Sequence, residues 1–326
     1  MQKKILITGA NGFVGYHLLK AALAKGFEVY AGIRKGSNIS HLKNLNIQFS
    51  YLQYSNFDSL MRDFGMKQYD FIIHAAGVTK ANDYQTYQEI NAEYTLNIAK
   101  AAQVISPQKI VFISSLAAVG PAKYNDIDGI TENTKPIPLT SYGKSKLLAE
   151  KYLNNSSDLN WVIIRPTAVY GPREKDLLML IKALNKGVEI YLGKNKQILS
   201  FIHVYDLANA ALEACLSDHV YQTYNISDGK KYDTRMLSEI IKRELNKKTL
   251  KITIPVSILR LIANVIEQVN DGKTSILNKD KISELIAENW SCSIEKAQQE
   301  LSFNPQYDLR KGMKNTIDWY KKNKWI

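Results

Sequence analysis

The sequence predicts an α/β protein in which a doubly wound parallel sheet carries a smaller, mixed α/β C-terminal lobe. Over the first 165 residues, short apolar runs of strand length alternate with segments of helical periodicity. Three glycines follow the first apolar run, and after Arg165 prolines and glycines interrupt the alternation. The predicted strands of the sheet are residues 5–8, 29–33, 47–52, 71–74, 110–114 and 161–165.

The length of 326 residues suffices for one large core and a second lobe. We expect residues 1–165, together with roughly residues 200–216, to form the main domain. Residues 166–326 are expected to form a smaller, interleaved lobe that binds substrate. The break in the alternation after Arg165 is the reason for this boundary.

Composition excludes several classes of protein. No apolar run reaches the about 18 residues that a membrane span requires, and the N-terminus passes directly into a strand pattern. We therefore expect a cytoplasmic protein without a signal peptide. The two cysteines, Cys215 and Cys292, are far apart and lack metal-ligand spacing, so we expect neither a disulfide nor a metal site.

The net charge of +12 favours anionic ligands. Lysines cluster in residues 242–251 and 311–324, but no recognisable nucleic-acid-binding module accompanies them, so we expect no nucleic-acid partner. Residues 258–269 repeat apolar side chains at helical spacing. Packing against the small lobe is our main interpretation of that helix, and peripheral contact with a membrane surface is the alternative.

The turn after the first strand reads TGANGFVG and leads into a helix. Glycines at this spacing allow a tight turn, close approach of a pyrophosphate to the backbone, and close packing of helix on strand. The helix N-terminus then presents unpaired N–H groups to the phosphates. The pattern is typical of a Rossmann dinucleotide site, with expected contacts at Gly9, Asn11, Gly12, Phe13, Val14 and Gly15.

The residues after the second strand discriminate between the two nicotinamide dinucleotides. An acidic residue there would bind the ribose 2′-hydroxyl of NAD, and this chain has none. Arg34, Lys35 and Ser37 would suit a 2′-phosphate, so we favour NADP over NAD. Exposed cations without a ligand are the alternative interpretation.

A second motif, Tyr142 followed four residues later by Lys146, begins a predicted helix. The spacing corresponds to about 6 Å along the axis, so both side chains leave the same face. A free tyrosine has a pKa of about 10 and is a poor acid or base at neutral pH. We expect the neighbouring ammonium to lower that pKa toward the working range, and Ser115 to hold the substrate oxygen.

Together these motifs resemble the short-chain dehydrogenase/reductase superfamily. RPTAVYGP at residues 165–172, FIHVYD at 201–206 and the tail at 319–325 are similar to its extended branch. That branch includes nucleotide-sugar epimerases and dehydratases and 3-beta-hydroxysteroid-dehydrogenase-like reductases. The resemblance covers nearly the whole chain and implies a nicotinamide cofactor. It also implies a homodimer, formed through helices at residues 84–104 and 141–154.

The resemblance also assigns roles to individual residues. Tyr142 is implied as the acid/base, Lys146 also as a ligand of the nicotinamide ribose, Ser115 as the substrate-polarising residue, and Asn91 as a further catalytic residue near the active site. His203 and Asp206 we interpret as structural. Further cofactor contacts are implied at Gln53, Tyr54, Ala75, Ala76, Gly77, Ser114, Pro166 and Thr167.

Two departures from the resemblance narrow the reaction. The 4,6-dehydratases carry an Asp-Glu pair after the strand-five hydroxyl residue, and Leu116 and Ala117 stand here instead, so we do not expect dehydration. UDP-sugar epimerases usually carry a diphosphate-binding arginine where Leu199 stands. Leucine cannot supply charge-assisted bonds to phosphate, although Lys194, Lys196 or Arg173 could replace it.

We therefore predict reversible hydride transfer between NADP(H) and a ketone or secondary alcohol, on a small-molecule substrate that is apolar or amphiphilic. An NDP-sugar 4-epimerase that retains its NAD is the first alternative. A non-catalytic NAD(P)-binding scaffold is the second, and the presence of Tyr142 and Lys146 argues against it. The candidate substrate contacts are Val78, Ser115, Leu116, Val169, Arg173 and Leu199.

Overall fold

The fold was analysed in a computed structural model that describes residues 2–192, 197–258 and 279–326. Its main layer is a sheet of seven parallel strands in the order β10-β6-β5-β4-β1-β2-β3. These strands are β1 (Lys4–Thr8), β2 (Glu28–Ile33), β3 (Gln48–Tyr51), β4 (Phe71–His74), β5 (Lys109–Ile113), β6 (Trp161–Pro166) and β10 (Gln222–Ile226). The predicted fold class, a doubly wound α/β sheet, is confirmed.

The strand residues of the sheet are buried because helices cover both of its faces. Ile5, Leu6 and Ile7 of β1 are fully buried, as a strand inside a parallel sheet must be. One face packs on α1 (Phe13–Ala24) and α7 (Val204–Leu216). The other face packs on α2 (Phe57–Lys67), α4 (Tyr94–Ile105) and α5 (Ser141–Asn154).

The smaller lobe has its own apolar cluster, built mainly from helices. It contains α6 (Asp176–Asn185), α8 (Thr234–Leu245) and α11 (Leu309–Lys322). Two short parallel ribbons accompany it: β7 (Ala168–Tyr170) with β9 (Phe201–His203), and β8 (Val188–Leu192) with β11 (Leu250–Ile254). The remaining helices are α3 (Tyr84–Gln88), α9 (Lys279–Ile286) and α10 (Glu295–Leu301).

The structure differs from the expected domain boundary at one strand. Residues 222–226 were expected in the lobe, but they form β10 at the edge of the main sheet. β10 pairs with β6, although the two strands are far apart in the sequence. Pairing between such distant segments gives no local pattern from which it could be predicted.

Three expectations fall partly or wholly outside the described residues. Most of the apolar helix predicted at residues 258–269 does so, as do Lys194 and Lys196. Within the described ranges, no helix combines the length and apolar character needed to cross a membrane.

Candidate active site

A cavity of about 2330 Å³ lies where the parallel strands end. Its lining includes residues that immediately follow β1, β4 and β5, such as Gly9, Ala75 and Ser114. Parallel strands all end at the same edge, which is why residues far apart in sequence meet here. The cavity extends from the glycine turn into the smaller lobe, where Leu199 and Trp325 line it.

The glycine turn has the geometry that a diphosphate requires. Gly9 has a φ of +66°, and a side chain there would meet the Ala76 backbone at 2.7 Å. A Cβ on Gly15 would lie 2.2 Å from the Gly9 carbonyl oxygen, so only glycine lets α1 pack this closely. Gly12 caps α1 without any side-chain hydrogen bond, which leaves the first N–H groups of the helix free for a ligand. These residues therefore fit a dinucleotide.

Of the cofactor contacts expected around β2 and β3, some line the cavity and others do not. Arg34 and Tyr54 line the cavity. The exposed side chains of Lys35 and Gln53 and the half-buried Ser37 lie outside the lining. The Ser37 N–H donates to the Arg34 carbonyl, so the chain turns at this point. Successive side chains therefore point in different directions, and not all of them face the cavity. Sequence reasoning missed three further lining residues, which follow in a connection without a motif: Asn38, Ser40 and His41.

The remaining predicted residues mostly come together along the same cavity. The lining includes the predicted contacts of the glycine turn, those after β4 and those after β6. Asn91 is the exception among the catalytic candidates, since it does not line the cavity. The contacts in the lining are Gly9, Asn11, Gly12, Phe13, Val14, Gly15, Ala75, Ala76, Gly77, Val78, Ser114, Ser115, Leu116, Tyr142, Lys146, Pro166, Thr167, Val169, Arg173 and Leu199.

Tyr142 and Lys146 are positioned by the first turn of α5. The Thr140 hydroxyl accepts the Gly143 N–H at 3.0 Å and so caps the helix. Lys146 Nζ donates to the Ile113 carbonyl at 2.8 Å and lies 4.5 Å from the centre of the Phe112 ring. Burial lowers the pKa of Lys146 to about 8. The ammonium is thus held against β5, beneath the cavity.

The pKa of Tyr142 differs from the sequence-based expectation. Burial raises it to about 12, and the hydrogen bond with Ser115 acts in the opposite direction without reversing the shift. The sequence predicts that the Lys146 ammonium lowers this pKa. In the structure, the Lys146 ammonium donates a hydrogen bond to the backbone carbonyl of Ile113 on β5 instead. At neutral pH the phenol is therefore protonated, ready to donate a proton.

Ser115, and not its neighbour Ser114, has a hydroxyl available to the substrate. Ser114 Oγ donates to Glu150 at 2.5 Å, and the same carboxylate forms a buried ion pair with Arg165 at 2.6 Å. Ser115 is half-buried, and its Oγ accepts the Ala117 N–H at 3.2 Å, which leaves the hydroxyl proton for a ligand. The two serines are adjacent in sequence, so only the position of Glu150 on α5 distinguishes them.

Asn91 has a positioning role in this geometry. Its side chain is fully buried, and its amide bonds the backbone of Val78 in both directions, at 2.8 and 3.0 Å. The amide also donates to Ser145 Oγ at 3.0 Å. With these bonds the side chain is committed to the protein, so the expectation of direct participation in catalysis does not fit its place.

The cavity lining combines apolar walls with carboxylates. Leu116, Val169 and Leu199, the apolar residues predicted to contact substrate, are part of this lining. Arg173 lies at the opposite end, since its guanidinium is 4.4 Å from the ring centre of Tyr16 on α1. Trp325, from the tail motif, also lines the cavity, together with three residues that no motif indicated: Trp290, Asp280 and Glu284.

No cluster of metal-ligating side chains occurs in the described part of the chain. The buried cysteines Cys215 and Cys292 are both free thiols.

Known proteins resemble this chain over most of its length. A UDP-glucose 4-epimerase of Vibrio cholerae is 27% identical over 339 residues, which cover 97% of this chain and 95% of the relative. A decarboxylating sterol-4-alpha-carboxylate 3-dehydrogenase of Candida albicans is 24% identical over 345 residues, with 97% of each chain covered. The N-acetyl-alpha-D-glucosaminyl-diphospho-ditrans,octacis-undecaprenol 4-epimerase of Escherichia coli O157:H7 is 27% identical over 277 residues, covering 78% of this chain and 76% of the relative.

Solved structures share the fold. A UDP-glucose 4-epimerase from Thermotoga maritima, determined with UDP-glucose, superimposes with a TM-score of 0.82 at 19% identity, covering 98% of this chain and 99% of the other. The Thermus thermophilus UDP-glucose 4-epimerase in complex with NAD gives a TM-score of 0.78 at 20% identity, with the same coverage.

A family model places the chain more firmly than any single relative. The model described as the NAD dependent epimerase/dehydratase family matches residues 5–227, from β1 to the end of β10. Together with the glycine turn, the Tyr142–Lys146 helix and the fold, this match establishes that the chain belongs to the NAD dependent epimerase/dehydratase family, in the extended branch of the short-chain dehydrogenases/reductases.

Proposed function

We propose that this chain catalyses reversible hydride transfer between NADP(H) and a ketone or secondary alcohol of an apolar or amphiphilic substrate. The observation that carries the proposal is the place of Tyr142 and Ser115 in the cavity. Both line the same cavity as the glycine turn and as the apolar side chains of Leu116 and Leu199. A substrate carbonyl between them would meet a proton donor and a second hydroxyl group.

The coenzyme, when bound, supplies or accepts the hydride. In the reductive direction Tyr142 donates its phenolic proton to the substrate oxygen, and Ser115 donates a hydrogen bond to the same oxygen. Lys146, one helical turn further on, is positively charged below its pKa of about 8 and stabilises the phenolate that results. In the oxidative direction Tyr142 must first lose its proton, and its pKa of about 12 opposes that loss.

The surroundings of Leu199 favour this reaction over conversion of a nucleotide sugar. Leu199 offers no charge to a diphosphate, and the amide of Gln197 donates to the carbonyls of Leu285 and Ala287 at 2.5 and 2.9 Å. The carboxylate of Glu284 lies near enough to Tyr142 to raise its pKa.

The relatives support an amphiphilic substrate without identifying one. One is named for a sterol carboxylate and another for an undecaprenol-linked amino sugar, so two of these relatives act on lipids by name. The preference for NADP is supported by Arg34 in the lining. The described residues 34–47, which follow β2, contain no carboxylate, and Asn38, Ser40 and His41 complete the lining there.

Conversion of an NDP-sugar at C4, with NAD retained, is the second candidate function. It is favoured by the Vibrio cholerae relative and by the Thermotoga maritima structure, whose names give UDP-glucose 4-epimerase. The two reactions share Tyr142, Lys146 and Ser115 but differ in coenzyme balance, because an epimerase returns the hydride to its substrate and consumes no coenzyme.

The decisive experiment follows NADPH and NADH absorbance with a panel of steroid-like, flavonoid-like and acyl-chain ketones. The same protein is examined for tightly co-purifying NAD and for interconversion of UDP-glucose and UDP-galactose. Stoichiometric coenzyme oxidation with an amphiphilic ketone is the expected result. Sugar interconversion without net absorbance change, together with retained NAD, would replace this proposal by the epimerase.

A further inference from the structure

The ribbon formed by β8 and β11 has one aliphatic face. The register pairs Val188 with Leu250 and Ile190 with Ile252, and side chains alternate between the two faces of a strand. Ile254 continues the same alternation along β11. Leu250 is 71% exposed, and Ile190 and Ile252 are each 42% exposed. Large aliphatic side chains thus lie together at the surface of the lobe.

The β8 side of the opposite face is occupied by protein. Glu189 is fully buried there, pairs with Lys242 of α8 at 3.1 Å, and accepts a hydrogen bond from Thr249 at 2.5 Å. Tyr191 also donates to the Glu189 carboxylate. α8 therefore covers the polar face at β8, whereas Lys251 and Thr253 on the same face of β11 remain exposed. The aliphatic side chains point to the other side of the ribbon.

Cations surround the exposed end of the aliphatic face. Lys182 and Lys186 lie just before β8, and Lys247 and Lys248 lie just before β11. The two segments that lead into β8 and β11 are adjacent, because the Leu250 N–H donates to the Gly187 carbonyl at 2.8 Å. All four lysines are exposed, and none forms an ion pair with another described residue.

We propose that the aliphatic face of the β8–β11 ribbon, with these four lysines, docks on an anionic lipid surface. Apolar side chains at the boundary of headgroups and acyl chains, with lysines contacting anionic headgroups, are the features by which peripheral proteins bind membranes. A second copy fits this face less well, because symmetric contact would bring two lysine clusters together.

The ribbon also forms part of the cavity wall, since Ile190, Lys251 and Thr253 line the cavity. Docking at this face would place the cavity next to the lipid from which an amphiphilic substrate would enter. This purpose rests on the proposed function, whereas the docking itself rests only on the exposed face and its charge.

The test is co-sedimentation of the full chain with vesicles of phosphatidylcholine, with and without phosphatidylglycerol. We expect binding to the anionic vesicles that weakens as salt is added. Lys247→Gln with Lys248→Gln should weaken it about tenfold or more. Leu250→Ser with Ile252→Ser should weaken binding to a similar degree and leave coenzyme-induced thermal stabilisation unchanged. Lys43→Gln with Lys100→Gln, two exposed lysines beside the main sheet, should have no effect.

Equal binding by the wild type and both ribbon variants, or no binding to anionic vesicles, would overturn the proposal. Dimerisation that the Leu250 and Ile252 changes abolish, without vesicle binding, would assign the face to a second copy instead. If the serine variant does not fold, the lysine variant and the salt dependence still decide. Failure of the proposed function would appear separately, as vesicle binding by a protein that oxidises no coenzyme.

Discussion

The side-chain amide of Asn91 donates a hydrogen bond to Ser145 Oγ at 3.0 Å, and Ser145 Oγ donates to the carbonyl of Tyr142 at 2.7 Å. This chain of bonds joins the loop after β4 to the first turn of α5, because Asn91 also binds both backbone groups of Val78. One buried amide, that of Asn91, therefore fixes the position of the Tyr142 phenol relative to the loop after β4.

Asn91→Ala should disturb that relation. The change leaves the Val78 backbone groups and Ser145 without their partner, which costs about 1 to 3 kcal/mol of unfolding free energy. We expect kcat to fall about tenfold or more as Tyr142 loses its fixed position. Urea unfolding and steady-state kinetics measure both effects. The exposed Gln85→Ala in α3 is the control, and an Asn91 variant as active as wild type would contradict the positioning role.

Tyr142→Phe removes the proton donor and keeps the ring. General acid catalysis contributes about 10² to 10⁴-fold, so kcat should fall by that factor while coenzyme affinity changes little. Tyr87→Phe is the matched control, because its ring packs on Tyr142 at 6.2 Å but its hydroxyl donates to the Thr79 carbonyl. Full turnover by the Tyr142 variant would remove the phenol from the mechanism.

Arg34→Ala tests the coenzyme preference. Loss of a charge-assisted hydrogen bond to a 2′-phosphate costs about 1.5 to 3 kcal/mol, or about 10 to 100-fold in NADPH affinity, with NADH affinity nearly unchanged. Titration with both coenzymes, followed by thermal shift, measures the ratio. Lys35→Ala serves as the control because this neighbouring cation lies outside the cavity lining. Equal losses for both coenzymes would contradict a 2′-phosphate contact at Arg34.

Gly15→Ala should disrupt the cofactor turn. A Cβ would lie 2.2 Å from the Gly9 carbonyl oxygen, so strand and helix must separate. We expect a loss of about 1 to 3 kcal/mol in unfolding free energy and a large loss of coenzyme affinity. Gly65→Ala in α2 is the control, since no atom lies within 4 Å of its added Cβ and alanine favours a helix. Unaltered coenzyme binding by the Gly15 variant would argue against the diphosphate assignment.

Acid should destabilise the fold through buried histidines. Burial lowers the pKa of His17 to about 4 and those of His74 and His203 to about 3. An unfolded histidine titrates near pH 6.5, so below that pH the unfolded chain binds more protons. The stability that these neutral rings provide is present above about pH 6.5 and is lost as the pH falls toward 3 to 4.

Urea unfolding at pH 7.5, 6 and 5 measures this loss. Three protons correspond to at most about 4 kcal/mol per pH unit. His74→Gln should reduce the slope by up to one proton. A slope that His74→Gln leaves unchanged would show that this ring is not a source of the acid sensitivity.

Sequence patterns gave a good account of features with a local physical cause. The glycine turn was predictable because only glycine permits the backbone of residues 9 and 15, and the six strands of the first 165 residues were predictable because buried parallel strands read as short apolar runs. Tyr142 and Lys146 were found because four residues along a helix return a side chain to the same face.

The tertiary structure decided everything that depends on neighbours distant in sequence. Burial raises the pKa of Tyr142 to about 12, although the adjacent lysine suggests a lower pKa. Ser114 donates its hydroxyl proton to Glu150, so Ser115 is the serine whose hydroxyl is available to a ligand. The addition of β10 to the sheet and the aliphatic face of the β8–β11 ribbon likewise arise from pairing across long separations. By itself the sequence determined the backbone of the cofactor turn and the helix carrying the phenol, because those depend on local conformation. Desolvation and side-chain pairing depend on the folded surroundings, and no run of residues contains them.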